Sequence, residues 1–229
     1  MIKRLSIVFL AIGFAMPAFA QMAQPTAPMQ QWQAGKNYFV IEPALPSSVP
    51  GKIEVTEVFS YGCPACNAFL PTGDKIKKSL PANAVMTYTP AAFNAAESWP
   101  TFQRAYLTAK ALGIAEKTHD AVFQSVWGNG DLAISPGSSG KLVKRELSDA
   151  AKFYSSYGVT AADFEATANS FAINTQVKKA DAFVRAAGID QTPTIVVAGK
   201  YRVTASSAGS NEKLVELVKY LVDKESTGG

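Results

Sequence analysis

The stretch Val55-Thr-Glu-Val-Phe-Ser-Tyr-Gly-Cys-Pro-Ala-Cys66 holds both cysteines of the 229-residue chain, at the junction of a predicted strand and a predicted helix. A thiol in the first turn of a helix faces unpaired backbone N–H groups and the positive end of the helix dipole. These favour the thiolate, so Cys63 should ionise more readily than a free cysteine. Pro64 suits the first helical position, where no N–H is needed. Cys66 lies on the same helical face and can form a disulfide with Cys63, which indicates a redox-active pair.

Two other roles for the cysteine pair are less well supported. A structural disulfide between Cys63 and Cys66 would close a loop of only four residues, where the entropic stabilisation is smallest. A zinc site would need more ligands, yet the chain has no third cysteine and a single histidine, His119. We therefore predict no metal and no cofactor other than the disulfide, and we interpret His119 as an ordinary surface or packed residue.

The N-terminus has the pattern of a signal peptide, which we assign to residues 1–20. Lys3 and Arg4 precede an apolar run, Leu5–Met16, and Pro17–Ala20 ends in the small-x-small pattern that signal peptidase cuts. The apolar run is short for a membrane span, which needs about 20 residues. Cleavage after Ala20 is our prediction, and an uncleaved anchor is the alternative. Export would place the dithiol where disulfides persist.

Composition predicts a packed globule, since 48% of the residues are hydrophobic and 17% are charged. Removing the signal peptide would lower the formal charge from +4 to +2, because it carries two basic residues and no acidic one. So small an excess gives no reason to expect a nucleic-acid partner.

The clearest predicted strand is Lys52–Ser60, whose alternation places Glu57 and Phe59 on one face. Burial of that face would disfavour the charged form of Glu57 and raise its pKa. The alternative is that the face is half covered and that Glu57 is solvated. The helix beginning at Cys63 contains Pro71, which should kink or interrupt it.

The later segments alternate between helical and strand patterns. From residue 94, apolar residues at helical spacing predict four helices, which are Trp99–Leu112, Glu116–Trp127, Gly140–Tyr157 and Ala161–Asn174. Thr160 is the predicted N-cap of the last of these. The helix Gln176–Gly188 follows, and Asn211–Lys224 is the final one. Between them, Gly199–Lys200 should join two strands as a two-residue type II′ turn.

This order of elements predicts an α/β fold with a large inserted α-helical subdomain. Residues 21–36 form a flexible N-terminal tail in this interpretation. Residues 37–93 and 181–229 form the two parts of the α/β domain, and residues 94–180 form the helical insert, which has an ordinary domain size.

A Cys-Pro-x-Cys at a strand-to-helix turn, followed much later by a proline that opens a strand hairpin, resembles the thioredoxin superfamily. The helical insert, the signal peptide and the spacing from Glu57 to Cys63 narrow the resemblance to the DsbA-like exported thiol oxidases. It covers residues from about 38 to 224 and includes Lys-Lys-Ser-Leu-Pro81 and Thr-Pro-Thr-Ile-Val-Val-Ala-Gly-Lys-Tyr201. The resemblance implies a thioredoxin-like fold with an inserted helical domain, in a periplasmic protein.

The resemblance also implies a role for each predicted site residue. Cys63 would be the attacking, more exposed sulfur and Cys66 its buried partner, with a mixed disulfide formed at Cys63. Pro193 matches the cis-proline that lies against the disulfide, an ordinary turn proline being the alternative. The backbone of Thr192 would bind an extended substrate by strand-like hydrogen bonds. Glu57 would relay a proton for Cys66.

The chain departs from the resemblance at two positions. Pro64–Ala65 lies between the cysteines, where Pro-His is common among strong oxidants, so Ala65 offers no imidazole to stabilise the thiolate. Thr192 stands where valine is often found, and we expect its hydroxyl to contact the sulfur. We therefore expect an acidic Cys63 but a weaker oxidant than a Pro-His version.

These observations predict a monomeric enzyme that donates its disulfide to unfolded or folding exported proteins with cysteines and is reoxidised by a membrane redox partner. One alternative is a reductase or isomerase that runs the same dithiol in the reducing direction, to which Thr192 gives some weight. No dimerisation domain is evident, which counts against an isomerase. Another alternative is a peptide-binding chaperone with incidental redox activity.

Overall fold

The computed structural model of the protein describes residues 32–134 and 142–228. The predicted signal peptide, and residues 21–31 of the predicted tail, lie outside the described residues. The strands are β1 (Phe39–Val40), β2 (Ile53–Phe59), β3 (Ala84–Pro90), β4 (Thr194–Val197) and β5 (Tyr201–Val203). The helices are α1 (Pro64–Ser79), α2 (Trp99–Ala111), α3 (Ala115–Trp127), α4 (Leu147–Ser155), α5 (Ala161–Ala168), α6 (Phe171–Ala186), α7 (Ala205–Ala208) and α8 (Asn211–Ser226).

The five strands of the described residues form one mixed sheet in the order β1-β5-β4-β2-β3. Strand β2 pairs parallel with β3 and antiparallel with β4, so it lies inside the sheet. Helices α2 to α6 lie between β3 and β4 in the chain, where the helical insert was predicted. Helix α6 continues to Ala186, so it crosses the boundary predicted at residue 180.

The alternation predicted for β2 is present, and both faces of the strand are covered. Val55 packs with the apolar side chains of α1 and α8. Val58 packs on the opposite face with Val184 and Ala187, at the end of α6. Phe59, at the end of β2, reaches the core of the helical insert. Because both faces of β2 are covered, every residue of the strand after Ile53 is buried, including Glu54 and Glu57.

Helix α1 runs without interruption from Pro64 to Ser79 with Pro71 inside it, so the predicted interruption is wrong. Its buried face includes Phe69 and Ile76, which pack with α8 and the sheet. Tertiary packing of this apolar face offsets the backbone hydrogen bond that a proline removes.

Two predicted helices of the insert have different bounds. The helix predicted at Gly140–Tyr157 begins only at Leu147, because the preceding segment is bound elsewhere: Arg145 N–H donates to Ser98 Oγ at 2.8 Å. The helix predicted at Ala161–Asn174 ends at Ala168, and α6 begins after it. Ser170 causes the break, since its hydroxyl accepts from Ile173 N–H at 3.2 Å as an N-cap.

The predicted cap of α5 is confirmed, and the predicted hairpin turn is wrong by one residue. Thr160 Oγ1 accepts from Asp163 N–H at 3.1 Å. The turn between β4 and β5 has Ala198 and Gly199 in its centre, with φ of 54° and 66°. Two positive φ angles are those of a type I′ turn, not the predicted type II′.

The packed structure begins earlier than predicted, because Trp32 is 5% exposed and belongs to the core beside α8. In the two described stretches, no helix combines the length and apolar character needed to cross a bilayer.

Candidate active site

The turn between β2 and α1 presents Cys63 at the N-terminus of the helix. Cys63 is the N-cap residue with an extended backbone, and Pro64 is the first helical residue. Cys63 N–H donates to Ser60 O at 3.1 Å, which closes the turn. The predicted strand-to-helix placement of the cysteine pair is therefore confirmed.

The two sulfurs have opposite electrostatic surroundings. Cys63 is 6% exposed and Cys66 is fully buried, and both are free thiols in this structure. A hydrogen bond from the Cys66 thiol lowers the pKa of Cys63, helped by the Thr192 hydroxyl and by backbone N–H groups of Cys66 and Ala65, against the opposing effect of burial. Burial raises the pKa of the Cys66 thiol far above its usual range, and Cys63 raises it further. Cys63 is thus the sulfur suited to exist as a thiolate.

Thr192 and Pro193 lie beside Cys63, and the peptide bond between them is cis, as predicted. The Cys63 thiol donates to Thr192 O at 3.4 Å. The Thr192 hydroxyl is buried without a well-formed hydrogen bond, yet it is close enough to lower the pKa of both sulfurs. The structure therefore brings Cys63 and Cys66 into one site with Thr192 and Pro193, although 129 positions separate Cys63 from Thr192 in the sequence.

A groove of about 300 Å³ begins at this site and runs between α1 and the β5–α8 connection. Ala65 and Phe69 of the α1 side line it, together with Thr192 and Pro193. Its largely apolar lining next to a reactive sulfur suits an extended peptide segment.

Glu57 is buried, as predicted, with 4% exposure. Desolvation raises its pKa to about 8, and no hydrogen bond from any described residue opposes this effect. Its Oε2 faces Gly73, 3.1 Å from the point where a Cβ would lie. Gly73 follows Cys66 by about 10 Å along the helix axis, and no hydrogen bond joins the carboxyl to the Cys66 thiol. The Glu57 carboxyl therefore lies farther along α1 than the cysteine pair and is not hydrogen-bonded to either sulfur.

One residue that the sequence left unassigned lies close to this site. His119 is buried, and its Nδ1 is 3.1 Å from the hydroxyl of Tyr61, two residues before Cys63. The two residues are 58 positions apart, and helical spacing alone marks His119 only as part of a buried face. Among the described residues, no group of three or more histidine, cysteine or acidic side chains is arranged to hold a metal ion.

Comparisons with known proteins agree with this geometry. The thioredoxin family model matches residues 51–219. The chain is 36% identical to the thiol:disulfide interchange protein DsbA of Pseudomonas aeruginosa over 211 residues, which cover 92% of this chain and 94% of the relative. It is 34% identical to DsbA of Bordetella parapertussis over 196 residues, covering 85% and 87%.

Solved structures show the same likeness. The crystal structure of Pseudomonas aeruginosa DsbA has a TM-score of 0.73 at 36% identity and covers 87% of this chain and 97% of that one. The chain belongs to the DsbA family. Its sheet with α2 to α6 between β3 and β4 is the thioredoxin fold with an inserted helical domain. As a DsbA-family member, it is a thiol:disulfide oxidoreductase.

Proposed function

We propose that this DsbA-family protein is an exported oxidase that transfers a Cys63–Cys66 disulfide to cysteine pairs of folding secreted proteins. The observation that carries the proposal is the contrast between the two sulfurs, because interactions lower the pKa of Cys63 and burial raises that of Cys66. Stabilising the Cys63 thiolate stabilises the reduced protein, and a stable reduced form makes the disulfide a stronger oxidant.

The reaction passes through a mixed disulfide at Cys63. A substrate thiolate attacks Cys63 Sγ, the Cys63–Cys66 bond breaks, and Cys66 leaves with the electron pair and takes a proton. The second substrate thiolate then attacks the substrate sulfur of the mixed disulfide, and Cys63 leaves as a thiolate. Two electrons pass from the substrate dithiol to the enzyme. Attack occurs at Cys63 because Cys66 has no exposed surface.

Glu57 supplies the proton that Cys66 needs in the first step. With its pKa raised to about 8, the carboxyl is protonated at neutral pH and is a proton donor in the interior. Because the carboxyl faces Gly73 and makes no hydrogen bond to the sulfur, the proton transfer is relayed and not direct. Glu57 then regains its proton from solvent.

Thr192 and Pro193 bind the substrate. The cis peptide presents the Thr192 backbone beside Cys63, and an extended substrate segment pairs with this backbone while its side chains enter the groove along α1. We place the enzyme in the periplasm as a monomer, where a membrane redox partner restores the disulfide.

The test begins with the disulfide form of the protein and a reduced, unfolded protein whose activity requires its disulfides. The proposal expects stoichiometric reactivation and loss of it in Cys63→Ala. Cys66→Ala, first loaded at Cys63 as a mixed disulfide with glutathione, should exchange the glutathione for a reduced single-cysteine substrate and hold that substrate as a mixed disulfide. Equilibration with glutathione gives the direction, since an oxidase has a potential well above that of thioredoxin. A strongly reducing potential would instead identify a reductase, and substrate binding that survives Cys63→Ala without any disulfide transfer would identify a chaperone.

A further inference from the structure

Tyr61 is the point at which the active-site turn enters the core of the helical insert. The residue lies between the end of β2 and the start of α1, and its side chain is fully buried. Its ring contacts Phe102 of α2 and Phe123 of α3, with centroids 6.3 Å and 4.9 Å away. The turn that carries Cys63 is therefore anchored in the core of the helical insert, which Phe59 at the end of β2 also reaches.

Helix α3 holds both the backbone and the side chain of Tyr61. Trp127 Nε1–H donates to Tyr61 O at 2.9 Å. The Tyr61 hydroxyl is 3.1 Å from His119 Nδ1. These two bonds begin two turns apart on α3 and meet on one residue, so the orientation of Tyr61 is fixed relative to the helix axis.

The direction of the Tyr61–His119 hydrogen bond follows from the protonation states. Burial, together with nearby Lys77, lowers the pKa of His119 to about 4, so the imidazole is neutral. Burial raises the pKa of Tyr61 well above its usual value, so the phenol keeps its proton. The phenol O–H donates, Nδ1 accepts, and the imidazole carries its own proton on Nε2.

The same turn positions the reactive sulfur. Cys63 N–H and Gly62 N–H both bond to Ser60, at 3.1 Å and 3.2 Å, so residues 60–63 form one compact unit. A displacement of Tyr61 would therefore move Cys63 relative to Thr192 O and to the first N–H groups of α1. The N–H groups of Ala65 and Cys66, with the Cys66 thiol and the Thr192 hydroxyl, are the donors that stabilise its thiolate.

We propose that His119 and Trp127 are positioning residues for Cys63: by holding Tyr61, they fix the Ser60–Gly62 turn and with it the place of the sulfur. This inference rests on the proposed function for its catalytic meaning. The alternative is a packing role alone, in which His119 fills space among the rings of Phe59, Tyr88 and Phe123.

Three variants separate positioning from packing. His119→Phe keeps a ring and removes the acceptor, and Tyr61→Phe removes only the hydroxyl that donates to it. His119→Asn is the conservative rescue, because the amide oxygen can take the place of Nδ1. Leu217→Ala is the packing control, since Leu217 is fully buried in α8 and belongs to a different apolar cluster from Tyr61.

The measurements are the pKa of Cys63 in the reduced protein, from the ultraviolet absorbance of its thiolate, and the denaturation midpoint. We expect His119→Phe and Tyr61→Phe each to raise the pKa of Cys63 by about half a unit or more. The double variant should give no increase beyond that of Tyr61→Phe, because the bond that His119→Phe removes is already absent when the Tyr61 hydroxyl is gone. His119→Asn should restore most of the wild-type value, and Leu217→Ala should lower only the midpoint.

The proposal is overturned if the pKa of Cys63 stays at its wild-type value in both Phe variants, whether or not they lower the midpoint as Leu217→Ala does. If His119→Phe does not fold, Tyr61→Phe gives the answer alone, since it deletes a single oxygen atom. The pKa of Cys63 can be measured whether the protein acts as an oxidase or as a reductase. If the proposed oxidase function is wrong, this test of positioning therefore still gives its own answer.

Discussion

Strand β2 carries two buried carboxyl groups three residues apart, and their pKa values move in opposite directions. Glu54 faces α6 with 8% exposure, and Glu57 faces α1 with 4%. Burial alone would raise the pKa of Glu54, but hydrogen bonds from Ser48, Thr87 and Ser47 lower it. The Glu57 carboxyl receives no hydrogen bond from the described part of the chain, and burial raises its pKa to about 8. Both side chains are shielded from solvent, but the Glu57 carboxyl is the more deeply buried of the two, and depth of burial together with hydrogen-bond donors sets the direction of each pKa shift.

The same difference separates the two sulfurs of the active site. Cys63 lies at the end of α1, where a thiol, a hydroxyl and backbone N–H groups surround it. Cys66 lies on the inner side of the same helix turn, where burial dominates. At neutral pH, Glu54 and Cys63 are therefore ionised, whereas Glu57 and Cys66 are protonated. The active site combines one ionised sulfur, Cys63, with one protonated sulfur, Cys66.

The largest expected effect comes from Glu57 and concerns stability against pH. Because its folded pKa is raised from 4.5 to about 8, the stabilising contribution is fully present below pH 4.5 and is lost as the pH rises to 8. We expect a loss of ~4–5 kcal/mol across this window, at ~1.36 kcal/mol per pKa unit. Glu57→Gln should be as stable as the wild type in acid and more stable at pH 8.

Urea denaturation of the disulfide form at several pH values measures this effect, because neither cysteine titrates in that form. His119 has a lowered pKa, so its contribution makes the protein less stable as the pH falls, which is opposite to the effect of Glu57. Because wild type and variant share this contribution, it cancels in the difference between their stabilities. A difference that stays constant from pH 4 to 8 would show that Glu57 is ionised and solvated in the folded protein.

Glu54→Gln should behave in the opposite way. The lowered pKa of Glu54 contributes stability above its unfolded pKa, and this contribution is lost as the pH falls through the folded value. The variant should be less stable than the wild type at neutral pH by ~1–3 kcal/mol, because Ser48 N–H, 2.7 Å from Oε2, and Thr87 Oγ1, 2.8 Å from Oε1, lose their charged acceptor. Equal neutral-pH stabilities would refute the importance of these donors.

Ala65→His should strengthen the donor set around Cys63. An imidazole between the cysteines stabilises the thiolate, so we expect the pKa of Cys63 to fall by about one unit, or ~1.4 kcal/mol. The equilibrium with glutathione should become more oxidising by a corresponding amount. Ala68→His is the matched control, because Ala68 lines the same groove one helical turn from Ala65. An unchanged or more reducing potential in Ala65→His contradicts the prediction.

The smallest expected effect comes from the Thr192 hydroxyl. Thr192→Val keeps the shape of the side chain and removes the hydroxyl that lowers the pKa of both sulfurs. The pKa of Cys63 should rise by about half a unit. Thr194→Val is the control, since that hydroxyl donates to Gln191 O at 2.8 Å and should affect stability alone. If the two variants change the pKa of Cys63 equally, the hydroxyl has no specific role.

Local patterns in the sequence were sufficient for the parts of the site that depend on neighbouring residues. The two-residue period of β2 predicted the face of Glu57, and the strand-to-helix junction predicted Cys63 at the N-terminus of α1. The cis bond before Pro193 needed the family resemblance, because an X–Pro sequence alone favours trans. The family, the fold and the enzyme class were predicted in this way and are confirmed by the comparisons.

Features that depend on distant partners were not predictable in this way. Nothing near Glu54 in the sequence indicated that Thr87, 33 residues later, would bond to it. The start of α4 was predicted too early because Arg145 is held by Ser98, 47 residues away. The hairpin turn was placed at Gly199–Lys200 because a glycine favours positive φ, but Ala198 also adopts it.

The most direct test of the account is an ultraviolet titration of the reduced wild-type protein, with Cys63→Ala to assign the transition by its loss. The account predicts one sulfur, Cys63, that ionises well below the ~8.5 of a free cysteine. It also predicts a second sulfur, Cys66, that stays protonated into the alkaline range. A Cys63 transition at or above the free-cysteine value would contradict the oxidase mechanism, even though the fold and family would stand.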